Sequence, residues 1–283
     1  MKKILLAASL VALLPLLFSC GKMDNNGEVK FEEPRFVQYA HQLIMVGAAA
    51  TSEPAAAVMA APQALGPIYT YVEFTESGVY VIGSVVSGET QYKNGTYSVN
   101  GNVYTLNGFG TVEVSGTSGQ VDVTITPNGG PAQNMKANLK KASTSNVAYR
   151  GWTIDKTRAT VYGFHTPVTA DFIGCNFQEM AKFLNDNGHK GVYLPSGSMK
   201  SVSITGADSI IFAYSDDSAD VAECKLNGSN ISFSWRGKSR LFEVENGKAT
   251  IEYLDGKCIL KIDAGLKGST TSGSVTFVLS PMQ

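Results

Sequence analysis

Clusters of basic residues are absent from this chain, and its charge is sparse and balanced. Among 283 residues, 23 Lys and Arg face 24 Asp and Glu, so the formal net charge is −1, and only 17% of residues are charged. Nucleic-acid binding needs grouped Lys and Arg, and we expect no nucleic-acid partner. Cysteine is scarce, with four residues, and its spacing is not that of a zinc site. We therefore expect no metal and no cofactor.

Signatures of common enzymes are also missing. No G-x-S-x-G or H-E-x-x-H motif occurs, and Gly237-Lys238-Ser239 imitates the end of a P-loop without its first glycine, since Ser232 stands there. His165 and Asp171 could form an acid–base pair if a turn brings them together. The alternative is a loop histidine and a turn aspartate, because no nucleophile accompanies them. The sequence predicts a protein that is not an enzyme.

A long apolar run, from Ile4 to Phe18, stands at the N-terminus after Lys2 and Lys3. As a helix it would extend about 22 Å, short of the ~30 Å hydrocarbon core of a bilayer. A positive start, a short apolar core and a small residue before the cut indicate a secretory signal over residues 1–19.

Leu17-Phe18-Ser19-Cys20 resembles the lipobox of bacterial lipoproteins. The resemblance implies cleavage before Cys20 and lipidation of that residue, and several acyl chains suffice for stable anchoring. Gly21 after the cysteine resembles lipoproteins of the outer membrane, on its periplasmic or its surface side, and residues 20–33 are expected to form a polar, flexible tether. The alternative is an ordinary signal peptide with an incidental cysteine.

The other cysteines are Cys175, Cys224 and Cys258. Strand alternation in ADVAECKL and GKCILKI points Cys224 and Cys258 inward. An oxidising periplasm would permit a disulfide between these two, and buried free thiols are the alternative.

Glycine is abundant (29 residues), and Tyr and Phe far outnumber Trp, which favours strands and turns. Residues 34–142 are predicted as a first β-rich domain. Asn-Gly pairs at 94–95, 100–101, 107–108 and 128–129 indicate a meander of antiparallel hairpins. Helical spacing predicts a helical segment at the N-terminus of this domain, carried by Phe36, Tyr39, Ala40, Leu43 and Ile44.

Residues 143–148 are predicted as a linker and residues 149–283 as a second β-rich domain. A helix is expected over 176–187, because Asn176 suits the N-cap, Glu179 completes a capping box and Gly188 follows the end. The expected fold is mainly β, with two tandem antiparallel β-barrel or β-sandwich domains.

Arg150-Gly151-Trp152 opens a predicted strand, and hairpins follow it. With the lipobox, this pattern resembles the lipocalin-like (calycin) lipoproteins of Bacteroidetes-type bacteria. The resemblance implies β-barrel domains and a tryptophan (Trp152) that plugs one barrel end. The helix over 176–187 departs from a simple up-and-down barrel.

Aromatic residues are the candidate ligand-binding groups: Tyr69, Tyr71, Tyr80, Tyr97, Tyr104 and Trp152. Alternation places Tyr69 and Tyr71 on the face opposite Val72 and Phe74, so they could form an exposed patch that stacks on sugars or proteins. The alternative is the ordinary preference of tyrosine for strands. We expect a membrane-anchored lipoprotein that binds a small apolar or glycan ligand. The second candidate is a structural or adhesion lipoprotein that presents β domains to a protein partner.

The sequence also has two polar patterns. Asp216, Asp217, Asp220 and Glu223 lie close together, either as oxygen ligands for calcium or as a solvated turn. Asp208-Ser209-Ile210 and Asp217-Ser218-Ala219 resemble a bacterial O-glycosylation motif.

Overall fold

The computed structural model describes residues 22–23, 29–30, 36, 39–47, 67–143, 145–162, 167–188, 194–242, 244, 246–263 and 273–282. The predicted signal over residues 1–19, the lipidation at Cys20 and the candidate His165 lie outside these residues. No helix in the described part of the chain is both long enough and apolar enough to cross a membrane.

The fold is mainly β, with one helix among the described residues. The strands are β1 (Lys22–Met23), β2 (Val29–Lys30), β3 (His41–Met45), β4 (Ile68–Phe74), β5 (Val79–Val86), β6 (Glu89–Asn100), β7 (Val103–Leu106), β8 (Gly110–Ser115), β9 (Gly119–Pro127), β10 (Gln133–Lys141), β11 (Arg150–Val161), β12 (Val168–Ile173), β13 (Met199–Thr205), β14 (Ser209–Tyr214), β15 (Ser218–Asn227), β16 (Asn230–Trp235), β17 (Asn246–Leu254), β18 (Lys257–Asp263) and β19 (Gly273–Pro281). The helix is α1 (Phe177–Asp186).

Strands β3 to β10 form a closed, eight-stranded antiparallel barrel, called the first ring below. Each strand pairs with the next one, and β10 pairs back to β3. The Asn-Gly pairs at 100–101, 107–108 and 128–129 lie in its turns as predicted, with glycine φ angles of +61°, +78° and +73°. Asn94-Gly95 was wrongly predicted as a turn, because it lies inside β6. A Cβ on Gly95 would lie 2.7 Å from the Tyr80 ring, so this glycine makes room for that side chain.

A second circuit of antiparallel pairs, called the second ring, runs through β11 and β13 to β19. β19 pairs along β11, and the first residues of β11 pair with β13. The later residues of β11 pair with β12 instead, and a register shift between Ile154 and Lys156 separates the two halves of the strand.

Helix α1 follows β12, and its N-cap, its buried stripe and the glycine after its end are those that the sequence predicts. The Asn176 side chain caps the helix by accepting hydrogen bonds from the backbone N–H groups of Gln178 and Glu179. Phe177, Met180 and Leu184 form the buried stripe, and Gly188 follows the last turn with φ +90°.

The predicted N-terminal helical segment is wrong. Tyr39 lies in a 3₁₀ turn and His41–Met45 is strand β3. Alternation is visible at its centre, where Leu43 is fully buried and Ile44 is 37% exposed. Pairing with β4 and β10 satisfies the backbone of β3 on both edges, and this tertiary context prevails over the helical spacing. The structure also differs in part from the predicted flexible tether, because β1 and β2 form a two-stranded pair.

The two rings contact each other side by side, through a strand of each ring. β6 extends beyond its neighbour β7, and β15 extends beyond β16, so each leaves part of one edge open. These edges pair with each other through Lys93 and Ser218 and through Tyr92 and Ala219. One small apolar cluster lies between the walls: Tyr71, Val81, Tyr92, Ile211, Ala219 and Val221.

The predicted linker is packed against the second ring. Ala148 is fully buried, and its carbonyl accepts a hydrogen bond from the Trp152 indole N–H at 3.2 Å. The Ser143 backbone N–H donates to the Gly206 carbonyl at 2.9 Å. A Cβ on Gly206 would lie 1.7 Å from the Ser143 carbonyl oxygen, so the linker approaches this turn as closely as glycine allows.

Side chains fill the interior of both rings. Aromatic residues, among them Phe74, Tyr97 and Tyr104, occupy the first ring. Cys224 and Cys258 point inward in the second, as predicted, and of the two alternatives, a disulfide or buried free thiols, the structure has the free thiols. They lie on β15 and β18, and β16 and β17 separate them.

Candidate functional site

A cleft of about 470 Å³ opens where the two rings meet, and we call it the junction cleft. Its first wall is β6 with the β7–β8 turn, and its second wall is the start of β15 with the chain that follows β16. Asn94, on the first wall, holds the two walls together by hydrogen bonds. Its backbone N–H donates to the Asp217 carbonyl at 2.8 Å, and its side-chain amide donates to the Ser218 carbonyl at 2.6 Å.

Aromatic side chains line both walls of the junction cleft. Phe109 and Trp235 are partly exposed, whereas Tyr80 and Tyr92 are buried. The Tyr80 hydroxyl donates to the Asn107 carbonyl at 3.0 Å, and the Tyr92 hydroxyl donates to the Arg236 carbonyl at 3.1 Å. Burial is the main cause that raises the pKa of both tyrosines to about 12. Their hydroxyls therefore stay protonated and hold the wall in place.

The ring of Trp235 is held in a fixed orientation. It stacks on Phe242 with ring centroids 5.9 Å apart and packs at steeper angles on Phe212 and Phe233. Its indole N–H is buried and has no hydrogen-bond partner among the described residues. Buried indole N–H groups usually have a partner, so this donor is an unsatisfied polar group on a residue that lines the cleft.

Charged groups of both signs surround the aromatic wall. Arg240 binds the Asp216 carboxylate at 2.9 Å, and its guanidinium lies 4.6 Å from the centre of the Tyr214 ring. Burial raises the pKa of Asp216, but hydrogen bonds from Ser218 and Arg240 outweigh it, and the net pKa is lowered. The exposed side chain of Lys238 pairs with Glu89 at 3.2 Å across the cleft.

The four acidic residues predicted together do not form a metal site. No group of three or more His, Cys, Asp or Glu in the described part of the chain could hold a metal ion. Asp216 and Asp217 are exposed, as a solvated turn predicts, but Asp220 is buried. It accepts hydrogen bonds from Tyr214, Ser239 and the Arg240 backbone at 2.6–2.9 Å. Desolvation raises its pKa in spite of these donors.

The predicted exposed tyrosine face is wrong. Tyr69, Tyr71, Tyr97 and Tyr104 are all buried, at 2–7% exposure. A register shift between Tyr69 and Tyr71 marks a bulge in β4. Tyr69 therefore joins the interior of the first ring with Val72 and Phe74, and Tyr71 points to the second ring. Of the six predicted ligand residues, only Tyr80 lines the junction cleft.

Trp152 and Asp171 also lie away from the cleft. Trp152 is fully buried at the start of β11. The Asp171 carboxylate is bound by Arg158 at 2.7 Å and by Lys156 at 3.5 Å. The hydrogen bond from Arg158 is the main cause that lowers the pKa of this carboxyl to about 2.

Buried polar groups hold the rings together beside the cleft. Glu73 accepts hydrogen bonds from the hydroxyls of Tyr71 and Thr205, and the Gln42 amide donates to Ser209 at 2.8 Å. Ser209 is fully buried, so the folded protein does not expose this candidate glycosylation residue. Ser218, the other candidate, donates its hydroxyl to Asp216.

Glu76 lies in the same junction and is fully buried. One of its oxygens accepts the Gly206 N–H at 2.9 Å, and the other has no partner among the described residues. Burial raises the pKa of this carboxyl to about 7.

Sequence reasoning missed Phe109, Asn94 and Trp235 as cleft residues. The Asn94-Gly95 pair was a usable signal, but it indicated a turn rather than a strand that joins two rings. No protein-family model, no curated protein and no solved structure matches this chain.

Proposed function

We propose that this chain is a lipid-anchored lipoprotein of a bacterial outer membrane, with two tandem calycin-like domains, that binds a glycan in the junction cleft without catalysing a reaction. The lipobox at Cys20 supports the anchor, and the two circuits of strand pairs support the tandem arrangement.

The composition of the junction cleft carries this proposal. Its volume of about 470 Å³ lies within the ~300–1,000 Å³ range of small-molecule sites. Phe109 and Trp235 offer partly exposed ring surface for the C–H face of a sugar. Exposed side chains of Gln91, Asn107 and Lys238 provide hydrogen-bonding groups for sugar hydroxyls.

A glycan fits this site better than a purely apolar ligand. An apolar ligand would take the interior of a ring, but side chains occupy the interiors, and Phe74, Trp152 and Phe277 are at most 1% exposed. The junction cleft mixes aromatic and charged groups, and a neutral or acidic oligosaccharide presents matching surfaces.

One observation favours the structural or adhesion function as a second candidate. Ile44, Ile68 and Val86 lie on neighbouring strands of the first ring and Val46 directly follows β3, and these four side chains are 37–52% exposed. Grouped apolar side chains at a surface are typical of protein contacts. A pull-down from outer-membrane extracts that recovers one stoichiometric partner, lost on Ile68→Asp substitution, would support it.

Binding of the full chain in detergent to an array of neutral and acidic oligosaccharides tests the glycan proposal. We expect at least one saturable binder, weakened roughly fivefold by Phe109→Ala, since ring contacts contribute about 1 kcal/mol. Trp235→Phe removes the N–H but keeps a ring, and should weaken binding roughly 2- to 10-fold.

Tyr162→Ala is the matched control, because this aromatic is 43% exposed and does not line the cleft. An array without a binder, or equal effects of Phe109→Ala and Tyr162→Ala, would contradict the proposal. Labelled-palmitate incorporation that persists after Cys20→Ser would contradict the lipid anchor.

A further inference from the structure

The first ring has an open mouth at the end where β3 begins and β10 ends. A cavity of about 330 Å³ lies there, lined by His41, Tyr104, Val114, Thr117, Leu139 and Lys141 among others. It shares no lining residue with the junction cleft. We call it the mouth cavity.

His41 is the unusual group in this cavity. It is only 8% exposed and packs against the rings of Phe74 and Tyr104, with centroids 5.0 and 5.3 Å away. Its Nε2 atom is buried and has no hydrogen-bond partner among the described residues. A buried polar atom without a partner is costly, and it indicates a place for a ligand atom.

The hydrogen bonding of His41 determines whether its Nε2 atom donates or accepts a hydrogen bond. The imidazole donates a hydrogen bond to the backbone of Tyr39, and this bond comes from Nδ1 because Nε2 has no partner. Burial lowers the pKa of His41 to about 4, and the nearby Lys141 charge acts in the same direction. A neutral imidazole with its proton on Nδ1 presents Nε2 as an acceptor. A ligand must therefore bring an O–H or N–H donor.

Lys141 provides the second contact. It lies directly opposite His41 in the pairing of β3 and β10, so the two side chains are on the same face. Among the described residues, Lys141 has no ion pair and no acidic side chain lines the cavity. The charge of the mouth cavity therefore favours an anion.

Apart from Asn102 and Thr117, the larger side chains of the remaining lining are apolar or aromatic. Tyr104, Val114 and Leu139 form a wall beside the two polar groups. An apolar body of a few carbon atoms matches this wall and the volume of the cavity.

We propose that the mouth cavity is a second binding site, for a small hydroxy-carboxylate with an apolar body. The ligand hydroxyl donates to Nε2 of His41, the carboxylate meets the Lys141 ammonium, and the apolar body lies against Tyr104 and Leu139.

Calorimetric titration of the full chain in detergent at pH 7 tests this site, with mandelate as the probe. Phenylacetate lacks the hydroxyl, and methyl mandelate lacks the charge. We expect saturable mandelate binding that is at least tenfold tighter than that of either control compound. His41→Phe should abolish the preference of the site for mandelate over phenylacetate, because only the hydroxyl contact is lost.

Lys141→Gln should weaken mandelate binding at least fivefold and leave methyl mandelate unaffected. Lys140→Gln is the matched control, since the exposed Lys140 side chain is on the opposite face and pairs with Asp208. The Lys141 arm stays informative if His41→Phe impairs folding. Absent mandelate binding, equal binding of mandelate and phenylacetate, or equal effects of the two lysine variants would overturn the proposal.

Discussion

Substitution of Glu76 by glutamine tests the energetics of the junction between the rings. The carboxyl is fully buried and accepts a hydrogen bond from the Gly206 N–H at 2.9 Å. Its other oxygen has no partner among the described residues, and the carboxylate of Glu73 lies close enough to oppose its ionisation. Glutamine has almost the same shape, keeps an acceptor for Gly206 and carries no charge.

The raised pKa of Glu76 determines whether the free energy of unfolding rises or falls with pH. Burial raises the pKa of Glu76 from 4.5 to about 7 in the folded protein. Between these values the folded state keeps a proton that the unfolded state has released, so the free energy of unfolding falls as pH rises from about 4.5 to 7. One pKa unit corresponds to about 1.4 kcal/mol, so the loss is on the order of 3 kcal/mol at pH 8.

Urea unfolding followed by tryptophan fluorescence measures this loss at pH 4.5 and at pH 8. We expect Glu76→Gln to match the wild type at pH 4.5 and to exceed its stability by about 3 kcal/mol at pH 8. Glu252→Gln, at an exposed position of β17, is the control and should change stability by less than about 0.5 kcal/mol. A difference between Glu76→Gln and the wild type that is the same at both pH values would refute the reasoning.

Three further predictions concern packing and cysteine chemistry. Gly206→Ala should destabilise the protein by about 3 kcal/mol or more in urea unfolding, because its Cβ would lie 1.7 Å from the Ser143 carbonyl oxygen. Gly237→Ala, with its nearest neighbour at 3.7 Å, should stay within about 1 kcal/mol, and equal losses would contradict the packing argument. Tyr71→Phe should cost about 2 kcal/mol by removing a donor from buried Glu73, which a thermal melt would detect; an unchanged melt would exclude a role for that bond. The three buried cysteines should resist iodoacetamide in the folded protein and all react in urea without reductant, since they are free; mass spectrometry that finds only one labelled would indicate a disulfide.

Local signals predicted local structure well. The cap at Asn176, the stripe of α1 and three of the four Asn-Gly turns follow from interactions within a few residues, and the structure has them. The segment at Leu43 and Ile44 was predicted wrongly because its apolar spacing suits a helix as well as a strand. Pairing with β4 and β10, far away in sequence, decides between them.

The candidate site depends on contacts between the two rings, and the alternation of side chains along a single strand does not predict such contacts. A bulge between Tyr69 and Tyr71 brings Tyr69 to the face of Val72 and Phe74, and the second ring covers the opposite face, on which Tyr71 lies. Glu73 and Ser209 occupy positions where a polar residue normally meets water, and each is buried only because the other ring lies against it. The composition of one strand carries no information about such a neighbour.

The pairing of β6 with β15 has a consequence for the order in which the chain folds. Synthesis from the N-terminus completes β3 to β10 before β15 exists, so the first ring initially carries an unpaired strand edge at Tyr92 and Lys93. Exposed strand edges pair with strands of other chains, and the charge of Lys93 on this unpaired edge disfavours such contacts. A fragment that stops at residue 142 would keep this edge and the buried face of Tyr71 open to solvent, and it should self-associate where the whole chain does not.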